Sequence, residues 1–204
     1  MSSQSSDLLP VNDALTVAEA ALRDHAAVVT ALMPLLPTVA DLAARMVETI
    51  RRDGRLLLCG NGGSAADAQH IAAELVGRFE RDRRPFPALA LTTDTSALTA
   101  IANDLGYTEV FARQLAALGR PGDLLLAIST SGQSPNVIRA AEVARDRQMT
   151  VLGLTGRTGG ALLPLCDLCL CVPSDATPRI QEMHIFIGHV LCDVIERTLG
   201  EAGR

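Results

Sequence analysis

The sequence predicts an α/β fold, a doubly wound parallel sheet of five strands preceded by N-terminal helices. Three observations predict it. Five short, near-continuous apolar runs recur along the chain, the texture of strands buried on both faces. Stretches of helical periodicity separate them, as right-handed crossovers between parallel strands require. The chain has 204 residues, 48% of them hydrophobic and 20% charged, enough apolar material for a core and too much for a largely disordered chain.

The elements follow in order. Residues 1–52 read as an N-terminal helical segment suited to oligomerisation, with apolar positions at helical spacing in VAEAALRDHAAVVTALMPLL and TVADLAARMVETI. Pro34 and Pro37 mark a break between these two stretches. Residues 53–204 form the sheet-bearing domain. Its strands are expected at Arg55–Gly60, Ala88–Thr92, Asp123–Ile128, Thr150–Thr155 and Leu168–Val172. Its helices are expected at Ala65–Phe79, Ala97–Asp104, Val110–Ala117, Asn136–Arg147 and from near Pro178 to Leu199.

Composition removes several classes of function. Aromatics are 2% and Trp is absent, which disfavours a stacking platform for single-stranded nucleic acid. The formal charge of −5 disfavours a general nucleic-acid binder. No uninterrupted apolar run reaches the ~18 residues of a membrane span, and the start MSSQSSDLLPVND lacks the pattern of a signal peptide. A cytoplasmic protein with no membrane partner is expected. Reduced thiols are then the default for the five cysteines. Cys166, Cys169 and Cys171 lie close together, but no second pair stands at zinc-ribbon spacing, so they read as small apolar strand residues.

Two turns carry the chemistry. LLLCGNGGSAADAQ and LLLAISTSGQSPNV each run strand, Gly/Ser-rich turn, helix, and in open α/β sheets such turns face one cleft beyond the carboxyl ends of the strands. ISTSGQSPN offers Ser129, Thr130, Ser131 and Ser134, with Pro135 placed to open a helix. Hydroxyls and free N–H groups at a helix N-terminus bind anions. The nucleotide P-loop pattern is missing, which favours a monophosphate over ATP. After the other turn, His70 and Glu74 are four apart and share a helix face. On the last helix, Gln181 and His189 are eight apart and share a broad face, whereas His184 is turned away from His189.

These pieces together resemble the sugar isomerase (SIS) domain family, in particular its sedoheptulose 7-phosphate (phosphoheptose) isomerase branch. The stretches that carry the resemblance are LLLCGNGGSAADAQHIAAELVGRF, LTTDTSALTAIANDLGY, LLAISTSGQSPNV and RIQEMH with the following HVLCD, within residues 54–196. The resemblance implies a flavodoxin-like sheet, a homotetramer with active sites at subunit boundaries, and one Zn2+ per subunit. It implies a metal set of His70, Glu74, Gln181 and His189, with Glu74 and His189 as the acid/base pair. It places Asn61, Gly62, Gly63, Ser64, Glu74, Asn103, Asp104, Ser129, Thr130, Ser131, Ser134 and Gln181 against a sugar-phosphate substrate. The implied reaction converts sedoheptulose 7-phosphate to D-glycero-D-manno-heptose 7-phosphate through an enediol, at the start of ADP/GDP-heptose precursor synthesis. Two alternatives stay open: a non-catalytic SIS-family binding factor of the replication-initiator-associating type, and an isomerase of another sugar phosphate.

Helix geometry adds a constraint. Eight residues of α-helix rise ~12 Å, against zinc–ligand bonds of ~2.0–2.2 Å. Gln181 and His189 of one regular helix reach a common ion only with strongly leaning side chains, through a distorted helix start, or from different subunits. The expectation drawn here is a site assembled between protomers.

Overall fold

A computed structural model describes residues 11–200. Two N-terminal helices come first, α1 (Val11–Leu32) and α2 (Leu36–Arg51), joined by a single 3-10 turn, Met33–Leu35, that contains Pro34. The proline break falls where the sequence places it. Next come β1 (Leu56–Gly60), α3 (Gly63–Val76), β2 (Ala88–Ala90), α4 (Thr95–Leu105) and α5 (Ala112–Leu118). The chain continues through β3 (Leu124–Ser129), α6 (Pro135–Asp146), β4 (Thr150–Gly156), β5 (Leu168–Val172) and α7 (Thr177–Leu199). All strand pairs are parallel and the order is β2-β1-β3-β4-β5. That is the flavodoxin-like order, and its reversal point lies between β1 and β3.

The sheet is buried on both sides, which explains the continuous apolar runs. Leu124, Leu126 and Ile128 of β3 enter one core cluster with α2, α3 and α7. Leu125 and Ala127, pointing the other way, enter a second with α5 and α6. α2 contributes Val39, Leu42, Ala43, Met46, Val47 and Ile50, the i, i+3, i+4 stripe of a core-facing helix. α3 and α7 lie against each other, and Gly188 permits a close approach, since a Cβ there would stand 2.7 Å from Ile71 Cδ1. One helical stretch, Asp13–Arg51, is long and apolar enough by composition to cross a membrane. Its α2 half is a core helix of the sheet, while α1 leaves Leu15, Val17, Leu22 and Val29 exposed.

Several boundaries shift for local reasons. α4 starts earlier than the sequence suggests because Asp94 caps it, its carboxylate accepting from Ala97 N–H at 2.9 Å. α3 begins at Gly63 and stops at Val76, with Gly77 as its C-cap, its N–H bonded to the Ala73 carbonyl. The 3-10 segment Gly160–Leu165, between β4 and β5, has no periodic signal in the sequence.

Candidate active site

Three residues expected to serve catalysis or metal binding converge on the outer groove between α3 and α7. His70 and Glu74 occupy successive turns of α3, and His189 faces them from α7. The Nε2 atoms of His70 and His189 are hydrogen-bonded at 3.0 Å, so one ring donates its N–H and the other accepts through its lone pair. Glu74 Oε1 lies 3.4 Å from His70 Nε2. Phe79 stacks on the His189 ring, with centroids 5.7 Å apart. One turn before His70, Asp67 has a buried Oδ2 with no partner; burial pushes its carboxyl up to about 6, partly opposed by the His70 ring.

The cluster is held from behind by a fully buried ion pair. Glu196 of α7 accepts from the backbone N–H groups of Phe79, Glu80 and Arg81 and from Arg83 Nε at 3.0 Å. Burial opposes the charge of Glu196, but these donors together hold its carboxyl below the usual range. Arg83 also donates to the carbonyls of Glu74 and Leu75. The end of α3 that bears Glu74, and the loop that carries Phe79 to His189, are thus tied to α7.

Gln181 sits elsewhere. Its side-chain amide lies directly over Gly63, in the space a Cβ would need. α3 and α7 therefore run side by side from the same end, with Gly63 beside Gln181 and, about two turns on, His70 beside His189. Both helices begin at the carboxyl ends of the strands, so the histidine cluster lies some 10 Å along the groove from that rim.

The hydroxyl loop forms the second part of the site. Ser129 and Ser134 share a hydrogen bond between their Oγ atoms at 3.0 Å, and Ser131 Oγ accepts from Gln133 N–H at 3.1 Å. Thr130 and Ser131 open onto a pocket of about 250 Å3 lined also by Gly156, Arg157, Ser174 and Thr177. Gly132 adopts φ +63°, and a side chain there would strike the Gly159 carbonyl. The loop is fastened to its neighbour by Gly156 N–H to Thr130 O at 2.9 Å and Leu162 N–H to Gly132 O at 3.0 Å.

The GNGG turn joins the two halves. Asn61 and Asn136 exchange side-chain amide hydrogen bonds at 2.8 and 2.9 Å, and Tyr107 Oη donates to Asn61 Oδ1 at 3.3 Å. Gly62 and Gly63 are exposed at the start of α3 and Ser64 is buried beneath them. Asn103 and Asp104 are exposed at the end of α4, bonded to each other at 2.7 Å. Tyr107, three residues on, brings this stretch to the GNGG turn.

Comparison with known proteins fits this geometry. The SIS domain model matches residues 24–156. A phosphoheptose isomerase of Roseiflexus sp. (strain RS-1) is 62% identical over 165 residues, 81% of this chain and 84% of the relative. The chain belongs to the phosphoheptose isomerase family of SIS-domain proteins. A phosphoheptose isomerase of Helicobacter hepaticus is 49% identical over 188 residues, 92% of this chain and 96% of the relative. The solved phosphoheptose isomerase of Neisseria gonorrhoeae superposes with a TM-score of 0.82 at 44% identity, covering 92% of this chain and all of that one. Membership of this family makes the chain an enzyme, an isomerase of sugar phosphates.

The metal that the family implies can be tested against the donors. Among the described residues no three His, Cys, Asp or Glu side chains are arranged as ligands of a metal ion. The chemistry of the donor set is nevertheless of the kind zinc takes: His70 Nε2 lies 3.0 Å from His189 Nε2 and 3.4 Å from Glu74 Oε1, two imidazoles and a carboxylate together. Sequence reading missed Asp67, Tyr107, Asn136 and the Arg83–Glu196 pair. Asn136 and Tyr107 lie inside motifs already quoted, but Arg83 and Glu196 are 113 residues apart and leave no local signal.

Proposed function

We propose that this isomerase converts sedoheptulose 7-phosphate to D-glycero-D-manno-heptose 7-phosphate, moving the carbonyl from C2 to C1 through an enediol, as the first step of ADP/GDP-heptose precursor synthesis in the cytoplasm. The observation that carries the reading is the convergence of His70, Glu74 and His189 in one groove. The names of the relatives, phosphoheptose isomerases at 62% and 49% identity, support the substrate class.

The reaction needs a base at C1, an acid at C2 and proton relay between the two hydroxyls. Glu74 removes the C1 proton and returns it at C2. His189, its ring fixed by Phe79, carries the hydroxyl protons. Ser129, Thr130, Ser131 and Ser134 receive the phosphate at the N-terminal end of α6. Asn61, Gly62, Gly63, Ser64, Asn103 and Asp104 border the sugar chain. Zinc, one per subunit, would be held by His70, Glu74 and His189 of one chain, and supplies Lewis-acid polarisation of the carbonyl when bound.

A homotetramer with sites shared between subunits belongs to the same reading. Within one chain, the histidine cluster lies about two helical turns from the rim that holds the hydroxyl loop. A neighbouring subunit closes that gap, and its Gln181 completes the metal set. The exposed apolar residues of α1, with Met33, Leu36 and Phe186, form a surface suited to that contact.

The test is turnover of a panel of ketose phosphates of five, six and seven carbons, in solvent D2O, with and without a chelator. The expected result is selective turnover of the seven-carbon ketose with deuterium entering at the isomerised carbon and loss of rate on chelation. Selective turnover of a pentulose or hexulose phosphate would overturn the substrate, and absence of all turnover by metal-loaded protein would overturn the catalytic reading.

A further inference from the structure

We propose that Cys166 and Cys169 are a thiol pair that closes to a reversible disulfide under peroxide. The two form a Cys-Asp-Leu-Cys sequence at the junction between the 3-10 segment and β5, the outer strand of the sheet. Both are half-buried, whereas Cys59 and Cys192 are fully enclosed in the core.

The sheet is shaped to seat them. Gly153 of β4 lies opposite Cys169 in the strand pairing. A Cβ at Gly153 would stand 2.7 Å from Cys166 Sγ and 2.7 Å from Cys169 Sγ. Both sulfurs therefore occupy the space that the glycine leaves empty, and they lie no more than twice that distance apart, so a change of side-chain rotamer brings them to bonding distance. Cys166 Sγ is directed by its hydrogen bond to the Leu162 carbonyl at 3.4 Å. The third thiol, Cys171, accepts from Thr155 Oγ1 at 3.2 Å, a hydroxyl that also lies 3.6 Å from Cys169 Sγ, but Cys171 is not among the atoms seated over Gly153.

The order of events follows from the surroundings. Its hydrogen bond to Cys166, with burial added, pushes the Cys169 thiol far up, so Cys169 keeps its proton and offers it to the Cys166 sulfur. Cys166 attacks first. As its S–H proton leaves, the Cys166 sulfur attacks one peroxide oxygen; the O–O bond breaks, the departing hydroxide takes that proton as water, and Cys166 becomes a sulfenic acid. Cys169 then gives up its proton and attacks that sulfur, forming the S–S bond and releasing a second water. Two thiols lose two electrons and two protons, and one peroxide becomes two waters.

The experiment uses the folded full chain treated with hydrogen peroxide, blocked with iodoacetamide and analysed by mass spectrometry. Trypsin leaves all three residues on one peptide, Thr158–Arg179, and a second cleavage before Asp167 separates Cys166 from Cys169. The expected result is a loss of two hydrogens, with the two fragments still joined through Cys166 and Cys169 and freed by dithiothreitol. Cys171→Ser keeps the link and Cys166→Ser abolishes it. A link through Cys171 in place of Cys166, oxygen added to Cys166 without a link, or unreacted thiols in the folded chain would each overturn the proposal.

Discussion

His184 shows how a residue in a functional helix comes to serve the fold instead. It is fully buried, its Nε2–H donates to the Thr155 carbonyl at 3.1 Å, and its Nδ1 has no partner. Burial lowers its pKa from 6.5 to about 4, with the Thr155 bond acting in the opposite sense. Because the folded value is depressed, the unfolded chain takes up the proton first as pH falls; stability is full above 6.5 and is lost between 6.5 and 4. The shift corresponds to about 3 kcal/mol. His184→Gln, which can donate to Thr155 but not titrate in this range, is expected to flatten that part of the pH–stability curve in urea titrations. His189, five residues on, faces the groove, and its substitution acts on rate. Glu74→Gln and His189→Ala are each expected to lower kcat by a factor on the order of 10²–10⁴ with circular dichroism unchanged, while Ser131→Ala mainly raises KM. Near-normal kcat in both groove variants would remove the acid/base assignment.

At the level of elements, the strands were legible because parallel strands covered on both faces read as unbroken apolar runs; β5 matches its expected bounds, Leu168–Val172. The His70–Glu74 pairing was legible because four residues make one helical turn. Residues brought together only by tertiary structure were not. Nothing near Arg83 in the sequence announces that its guanidinium reaches Glu196 and two carbonyls at the end of α3. The meeting of Gln181 with Gly63 depends on α3 and α7 running in the same direction, which the helical pattern of either alone does not state. The buried pair makes a testable demand on its elements. Glu196→Ala leaves Arg83 charged and unpaired, along with three backbone donors, and is expected to cost about 3–5 kcal/mol in denaturant unfolding. Its kcat should fall as well, because the loop that holds Phe79 against His189 is released.

For the whole molecule, the separation between the hydroxyl loop and the histidine cluster gives the subunit-sharing proposal a direct assay. Protein carrying Ser131→Ala with Thr130→Ala, assayed at a substrate concentration far below its raised KM, is mixed with protein carrying His189→Ala, and the two are dissociated and reassembled together. Shared sites give hybrid particles in which some sites draw both parts from unaltered surfaces, so activity returns to a fraction of wild type. Sites complete within one chain give none. The reciprocal amide pair of Asn61 and Asn136 has a different reach. It joins the turn after β1 to the start of α6, across the reversal point of the sheet. Each asparagine supplies the partner's donor and acceptor at once, so no single substitution preserves both bonds. Over evolutionary time the two positions are bound to change as one or not at all, and their covariation should persist among descendants of this fold whatever sugar they come to handle.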